Sequence, residues 1–432
     1  MKALRIGLCL LFAFTVLAFG VVEVWSESIL EIGTAALLIL WACIVYRTPG
    51  AKVQWNPLNW PLLGLIGIGL FQLAFHATVY TFLTRAEVLR FTAYFVLFFL
   101  IAQAFRGAKE LSGLAWFLIL FCFAVSLFGI IQHFTSEKQI YWLSWIHPAG
   151  DPFGPYANRN HFAGFVELTL PVGIAFLVFR GMSREAVPLL GLLTIVPVSA
   201  IILSGSRGGI ISFVFELVVL AILARRRRVA EVPHVGTIAI IGVAALSLVA
   251  WVGAGKAIER FSTAPLNDVS LARRISMFRG AAHIFVDHPV KGAGLGALIA
   301  IFPRYETAYD GYVIAHVHND YIETLAETGL LGGLCGFSFL WMFYRDSLRA
   351  FESSRERFSL SLRAGATVAV SGLLLHSLVD YNLHVPANAL LFLLQVHLAT
   401  LQPLASRSAL PDADAVLGRV RSRALSPAGS YR

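Results

Sequence analysis

The residues best suited to chemistry stand at the front of one stretch, residues 316–333, which opens with two histidines, an asparagine and an aspartate. From Leu330 the sequence is apolar and stays so through Tyr344. A helix over this stretch would place the polar group at the mouth of a membrane-buried segment. Ionisable side chains at such a depth are costly to keep, so they predict a functional site.

His318 is the first candidate for a general base, because an imidazole pKa lies near the working pH and can take a proton from a hydroxyl. Asn319 follows it at the expected start of the helix, where free N–H groups favour an anionic ligand. Asn319 or Asp320 could instead serve only as the helix N-cap. His316 is a second candidate for substrate binding, with an ordinary interfacial histidine as the alternative.

Arginines on the same expected side of the membrane would complement this histidine. Arg207 stands in a very short turn, Ser206-Arg207-Gly208-Gly209, and Arg274 and Arg279 stand in a long connection further on. A guanidinium donates paired hydrogen bonds to phosphate and stays charged at any relevant pH. Arg207 could also merely snorkel to lipid headgroups. Several arginines with one histidine suit a reaction in which a diphosphate leaves and a hydroxyl attacks.

The elements that must position these residues are membrane helices. The chain has 432 residues, of which 57% are hydrophobic and 14% charged, so its solvent must be lipid. Its apolar runs are long and lack the alternation of barrel strands, which predicts an all-α integral membrane protein. Twelve candidate spanning segments are expected near residues 4–24, 28–46, 58–77, 87–105, 112–134, 161–180, 186–204, 208–224, 234–253, 319–344, 363–382 and 386–402.

The distribution of basic residues predicts the orientation of these segments. Most of the 34 lysines and arginines fall in alternate connections and in the C-terminal tail, so by the positive-inside rule both termini face the cytoplasm. The net charge of +9 therefore reflects topology and does not indicate a nucleic-acid partner. The first segment is expected to be retained, with a cleaved signal peptide as the alternative. We expect one membrane domain over residues 1–402 and a disordered cytoplasmic tail over residues 403–432.

The longest expected outer connection, residues 254–318, separates segments nine and ten. Ile275, Phe278, Ala282 and Phe285 recur at helical spacing and predict an amphipathic helix on the outer membrane face, ended by His288-Pro289. The glycine-rich run over residues 292–296 lacks a βαβ context, which favours a tight turn over a nucleotide site. Cys9, Cys43, Cys122 and Cys335 stand singly in apolar runs and predict no metal site.

These motifs carry a family resemblance. His318-Asn319, nine further residues and then Gly329-Leu330-Leu331-Gly332 resemble the His-Asn/Ser/Gln–x9–Gly-x-x-Gly signature of the O-antigen ligase and polymerase superfamily. The runs over residues 274–279, 288–296, 158–164 and 206–209 resemble further motifs of such proteins. The resemblance covers roughly residues 150–345. Gly329 and Gly332 are accordingly expected to pack closely within segment ten and not to break it.

The resemblance implies a twelve-helix inner-membrane enzyme of the GT-C type with a large periplasmic loop between segments nine and ten. Such proteins transfer a glycan from undecaprenyl diphosphate to an acceptor hydroxyl at the periplasmic face, without a metal or other cofactor. His318 matches the essential histidine, and Arg207 and Arg274 match arginines that bind the diphosphate. Arg279, with Phe278 where tryptophan is usual, matches less closely.

Four functions remain open on the sequence, one of them a less favoured protein-glycosylating relative of the same superfamily. A ligase would attach the glycan to lipid A–core or another hydroxyl acceptor, and a polymerase would join repeat units of O-antigen or exopolysaccharide. Ile211 stands where the ligase pattern often has leucine after Arg207, which weakens the ligase subtype. A secondary transporter is less favoured, because neither a repeat of two halves nor an early basic motif is present.

Overall fold

The computed structural model describes residues 1–136, 138–143, 151–227, 247, 269–307, 311 and 313–401. These residues fold into helices and form no strand, apart from one isolated bridge between Phe153 and Tyr156. Numbered in chain order, the described helices are α1 (Lys2–Leu17), α2 (Val24–Tyr46), α3 (Asn59–Ala74), α4 (Thr81–Ala104), α5 (Ala108–Thr135), α6 (Arg159–Val178), α7 (Val187–Ser204), α8 (Arg207–Arg226), α9 (Val269–Asp287), α10 (Leu298–Ile301), α11 (Asp320–Ser353), α12 (Arg357–His376) and α13 (Pro386–Thr400).

Eight of the described helices are long and apolar enough to cross a membrane, and α3 and α13 are shorter apolar helices. The all-helical membrane architecture expected from the sequence is thereby confirmed. Eleven of the twelve expected segments coincide with helices, among them α1. The ninth, residues 234–253, falls outside the described residues except for residue 247. Residues 254–268 of the long connection and the tail over 403–432 also lie outside them. The count of twelve stays a prediction.

The centre of the bundle is α6, whose apolar window is entirely buried by protein. It packs against α5, α7, α8, α12 and α13 within one compact unit, Met1–Leu401. A helix surrounded in this way needs an apolar surface all round. α6 meets that need, since Glu167 is the only charged residue between its first turn and Val178. The side chains at the N-terminus of α6 can therefore contact the residues of other helices and connections at that end of the bundle.

Two contacts at the opposite end of the bundle join helix ends that the sequence assigns to the inner side. Arg5 pairs with Glu110, so the start of α1 meets the start of α5. Arg227 at the end of α8 donates to the carbonyls of Phe351 and Ser354 at the end of α11. The orientation of the helices in the membrane stays a prediction.

Gly329 interrupts α11, so the expectation that it does not break the helix was wrong. Its φ of 64° and ψ of −159° are open to glycine alone. The carbonyls of Ala326 and Glu327, freed by the break, accept from the N–H groups of Ala293 and Gly294. The N–H groups of Leu330 and Leu331 donate to the carbonyls of Pro289 and Val290. The glycine loop over residues 289–294 thus forms backbone hydrogen bonds with residues on both sides of the helix break.

The amphipathic helix of the long connection exists as α9, but its buried face differs from the expected one. Met277, Ala281 and Ile284 are buried against α10, α11 and the segment before it, whereas Ile275 is 41% exposed. The alanine and glycine residues of α9 let it approach the protein closely, so packing on the protein, and not the run of large apolar residues, determines its orientation. α9 ends at Asp287, next to His288-Pro289 as expected.

Candidate active site

His318 lies immediately before α11, and its backbone holds it at the bundle end. Its φ of 55° is uncommon for a residue other than glycine and persists only where the surroundings maintain it. The Nδ1 atom lies 3.1 Å from Oδ1 of Asp380, and the imidazole is 25% exposed. Because an ionised carboxylate only accepts, Nδ1 carries the proton in this contact. Nε2 is then left with its lone pair for a substrate.

Asp380 lies in the short connection between α12 and α13, with only 1% of its side chain exposed. It accepts from the Asn160 amide and from the backbone N–H of Tyr381. Nε2 of His161 lies 3.8 Å from Oδ1, a distance too long for a hydrogen bond but close enough for electrostatic influence. Burial raises the pKa of Asp380, but the neighbouring His161 and His318 outweigh it and hold the pKa well below its usual value.

Tyr381 organises the rings around Asp380. Three imidazoles contact its ring: His161 at 4.6 Å, His318 at 4.9 Å and His316, which stacks on it, at 4.4 Å between centroids. Aromatic rings in edge-on or stacked contact hold each other in preferred orientations. His318 is therefore oriented by the Asp380 carboxylate on one nitrogen and by the Tyr381 ring beside it.

The expected arginines divide into two groups. Arg274 on α9 donates to the carbonyl of Val379, 2.9 Å away, and lies 4.0 Å from Asp380. Arg207 is exposed at the first position of α8, whose cap is the Ser206 side chain. The next residue of α8, Gly208, lies so near Val379 that an added Cβ would stand 3.3 Å from its side chain. Arg207 and Arg274 thus flank the same short segment beside Asp380.

Arg279 is not brought to this segment. It is exposed on α9, on the side away from the buried Met277 and Ala281, and in the described part of the chain no hydrogen bond or ion pair holds it. Asn319 is occupied as the N-cap of α11. Its side-chain oxygen accepts from the N–H groups of Tyr321 and Ile322, and its amide donates to the carbonyl of Leu378.

A second cluster of ionisable groups lies on the other side of Tyr381. Nδ1 of His316 is 2.7 Å from Glu323, whose carboxylate is also 3.4 Å from Nε2 of His384. Nδ1 of His384 in turn lies 2.7 Å from Asp320. Burial lowers the pKa of His384, but Glu323 and Asp320 raise it more, to about 10. The two carboxylates thus require a positive charge between them.

An apolar cavity of about 430 Å³ adjoins this cluster between α3, α4, α11 and α13. Asp320, Tyr321 and His384 line it next to the site, and its walls follow α11 as far as Leu340. The lining residues of α11 lie on both sides of the break at Gly329. The volume and the apolar walls of the cavity suit a hydrocarbon chain whose polar end reaches the site.

Comparison with known families gives one match. Residues 192–337 match the family model described as O-antigen ligase. This match supports the resemblance of that segment to the O-antigen ligase and polymerase superfamily. No curated protein matches it. The family match indicates a glycosyltransferase-like enzyme of a bacterial membrane, with lipid-linked glycans and glycan acceptors as partners in general.

The matched segment of the O-antigen ligase domain holds His316, His318, Asn319 and the three arginines, and it ends before Asp380. The sequence reasoning missed Asp380, Tyr381 and His384, and also Asn160 and His161 as contacts of the site. One signal was available: an aspartate and a histidine stand between the last two apolar segments, where polar groups are costly. The contact of Asp380 with His318 could not be inferred from local spacing, because the two residues lie 62 positions apart in the chain.

Proposed function

We propose that this O-antigen ligase domain protein transfers a glycan from a polyprenyl diphosphate, such as undecaprenyl diphosphate, to an acceptor hydroxyl at the periplasmic face. The single observation that carries the proposal is the His318–Asp380 pair, in which a partly exposed imidazole is held near Arg274, itself 4.0 Å from Asp380. An oriented imidazole next to fixed cations suits attack by a hydroxyl and departure of a diphosphate.

In the proposed step, Nε2 of His318 takes the proton of the acceptor hydroxyl. At the same time the oxygen of that hydroxyl forms a bond to the anomeric carbon of the glycan. The bond between that carbon and the diphosphate oxygen breaks, and the diphosphate departs with the bonding electrons. Arg207 and Arg274 neutralise the charge that develops on it. Asp380 stabilises the imidazolium that forms, and the step uses no metal ion or cofactor.

The adjoining cavity supports a lipid-linked substrate. Its largely apolar walls suit a hydrocarbon chain, and its polar end at Tyr321 and His384 lies beside the proposed chemistry. Both subtypes of the superfamily use such substrates. We assign the ligase subtype first, since the matched family model is described as O-antigen ligase. The polymerase is the second candidate because Ile211 replaces the leucine of the ligase pattern. Ile211 is 63% exposed on the outside of α8, where one apolar side chain substitutes readily for another.

The test is transfer from a purified lipid-linked glycan to candidate acceptors by the full-length protein in liposomes. We expect His318→Ala to abolish transfer while the protein stays folded in the membrane. The matched control is His283→Ala, which removes an exposed histidine of α9 and should transfer like the wild type. Wild-type activity in the His318 variant would overturn the base assignment. Product analysis separates the subtypes: glycan on lipid A–core indicates a ligase, and longer glycan on the carrier a polymerase.

The arginines are tested by donor dependence in the same assay. A hydrogen bond to a charged group contributes about 1.5–3 kcal/mol. Arg207→Ala or Arg274→Ala should therefore reduce use of the donor by at least roughly tenfold. Arg279→Ala should have a milder effect, because its side chain is not held at the Val379 segment. Equal losses in all three variants would count against a diphosphate position beside Val379.

A further inference from the structure

Three side chains beside the proposed active site bring possible metal ligands together. Nδ1 of His316, a carboxylate oxygen of Glu323 and Nε2 of His384 all lie within 4.8 Å of one another. Oε1 of Glu323 lies 2.7 Å from Nδ1 of His316 and 3.4 Å from Nε2 of His384. In a tetrahedral zinc site with bonds of about 2.0–2.1 Å, neighbouring ligand atoms lie roughly 3.3 Å apart. Small side-chain movements would bring these atoms to that spacing.

The groups behind these side chains hold them in the orientation that a metal ion needs. Nδ1 of His384 faces Asp320 at 2.7 Å, so its other nitrogen is turned toward Glu323. A metal-binding histidine typically donates its second ring N–H to a carboxylate in this way. The second oxygen of Glu323 accepts from the backbone N–H of Val317, 3.0 Å away, and the ring of His316 stacks on Tyr381.

The charge of the cluster also suits a cation. Glu323 and Asp320 are 1% and 5% exposed, so two carboxylates lie in a nearly dry environment beside His384. Buried carboxylates are stable only when a positive charge or a metal ion pairs with them. His316 is 31% exposed, which leaves one side of the cluster open for a further ligand such as water.

We propose that His316, Glu323 and His384 bind one divalent transition-metal ion, with zinc as the ion whose ligand preference fits best. Two histidines and one carboxylate with an open fourth position form a common zinc ligand set. The ion would tie the segment before α11 to the first turn of α11 and to the connection before α13. The site is separate from the glycan-transfer step, in which the ion takes no part.

The rival occupant of the cluster is a proton. An imidazolium at His384 between the two carboxylates would satisfy the same charges, with His316 hydrogen-bonded to Glu323. The metal-bound and protonated states differ in one measurable respect. Only the metal-bound cluster retains metal after the protein is separated from free ions.

The experiment measures bound metal in the full-length protein, purified in detergent with a tag that contains no histidine. The protein is stripped with a chelator, incubated with ZnCl₂, desalted and analysed by elemental mass spectrometry. We expect about one zinc per chain for the wild type, and visible absorption typical of tetrahedral coordination when Co²⁺ replaces zinc. His384→Gln and His316→Ala should each lower retained zinc at least tenfold.

The matched control is His318→Ala, which removes a neighbouring histidine outside the ligand set and should retain zinc like the wild type. Because zinc content does not depend on glycan transfer, the result stands whether or not the proposed function holds. The proposal would be overturned if the wild type, after stripping, incubation with ZnCl₂ and desalting, retained less than about one tenth of a zinc per chain. Equal zinc in the wild type and in both ligand variants would also overturn it.

Discussion

Asp380 distinguishes the two nitrogens of His318, and in the proposed mechanism its charge makes the imidazole a stronger base. The carboxylate lies 3.1 Å from Nδ1, so it favours the tautomer with the proton on Nδ1 and would stabilise the imidazolium after proton transfer. Asp380→Asn keeps the shape but loses this charge. We expect turnover to fall by about 10²–10⁴-fold, the usual contribution of general-base catalysis, with little change in KM. The measurement is initial rate against donor concentration.

Asp346→Asn is the control for that loss of charge, since Asp346 pairs with Arg345 in the later part of α11, toward the opposite end of the bundle. Its turnover should stay near that of the wild type. If the Asp380 variant lost activity only through a raised KM, Asp380 would be assigned to substrate binding. That result would contradict a role through His318.

The low pKa of Asp380 predicts how stability depends on pH. Because the folded-state pKa lies below the unfolded value of about 3.9, the carboxylate contributes stability above that value. The contribution is lost as pH falls through the folded-state pKa. We therefore expect the difference in thermal stability between wild type and Asp380→Asn to shrink as the pH falls below about 4. A difference that already shrinks between pH 7 and pH 5 would contradict the low pKa.

At the scale of elements, the helices were predictable and their junctions were not. Apolar runs of membrane length have few alternatives to a helix, so eleven expected segments coincide with helices. The break at Gly329 was missed because glycine inside an apolar run also suits close helix packing. What distinguishes the two roles is a distant partner: the loop over residues 289–294, whose backbone groups pair with those freed by the break.

That break predicts opposite effects for two glycines of α11. A Cβ at Gly329 would lie 2.5 Å from the Val290 carbonyl carbon in a backbone conformation closed to alanine. Gly329→Ala should destabilise the protein by about 1–3 kcal/mol or more. Gly336 is helical and has no atom within 4 Å of an added Cβ, so Gly336→Ala should be neutral or stabilising. The measurement is thermal unfolding in detergent, and equal effects would show that Gly329 does not break the helix.

At the scale of the whole molecule, described basic residues assigned to the inner side lie at the end of the bundle opposite the site. Arg5, with Glu110, and Arg227 lie at that end. The other end collects His318, Asp380 and Arg274. Charge counts along the sequence could predict this separation, because basic connections are retained on the cytoplasmic side during insertion. They could not predict which outer connections meet, since that depends on packing around α6.

The proposed function requires the His318 end to face the periplasm, where a lipid-linked glycan would be delivered. In a background without the four native cysteines, Thr307→Cys near α9 and Ala51→Cys after α2 place one exposed thiol at each end. We expect a membrane-impermeant maleimide to label Thr307→Cys in cells whose inner membrane is intact, and Ala51→Cys only after lysis. Labelling of both variants after lysis is the control for accessibility. The opposite pattern would place the histidine and the arginines on the cytoplasmic side. It would contradict both the orientation predicted by the positive-inside rule and the proposed periplasmic reaction.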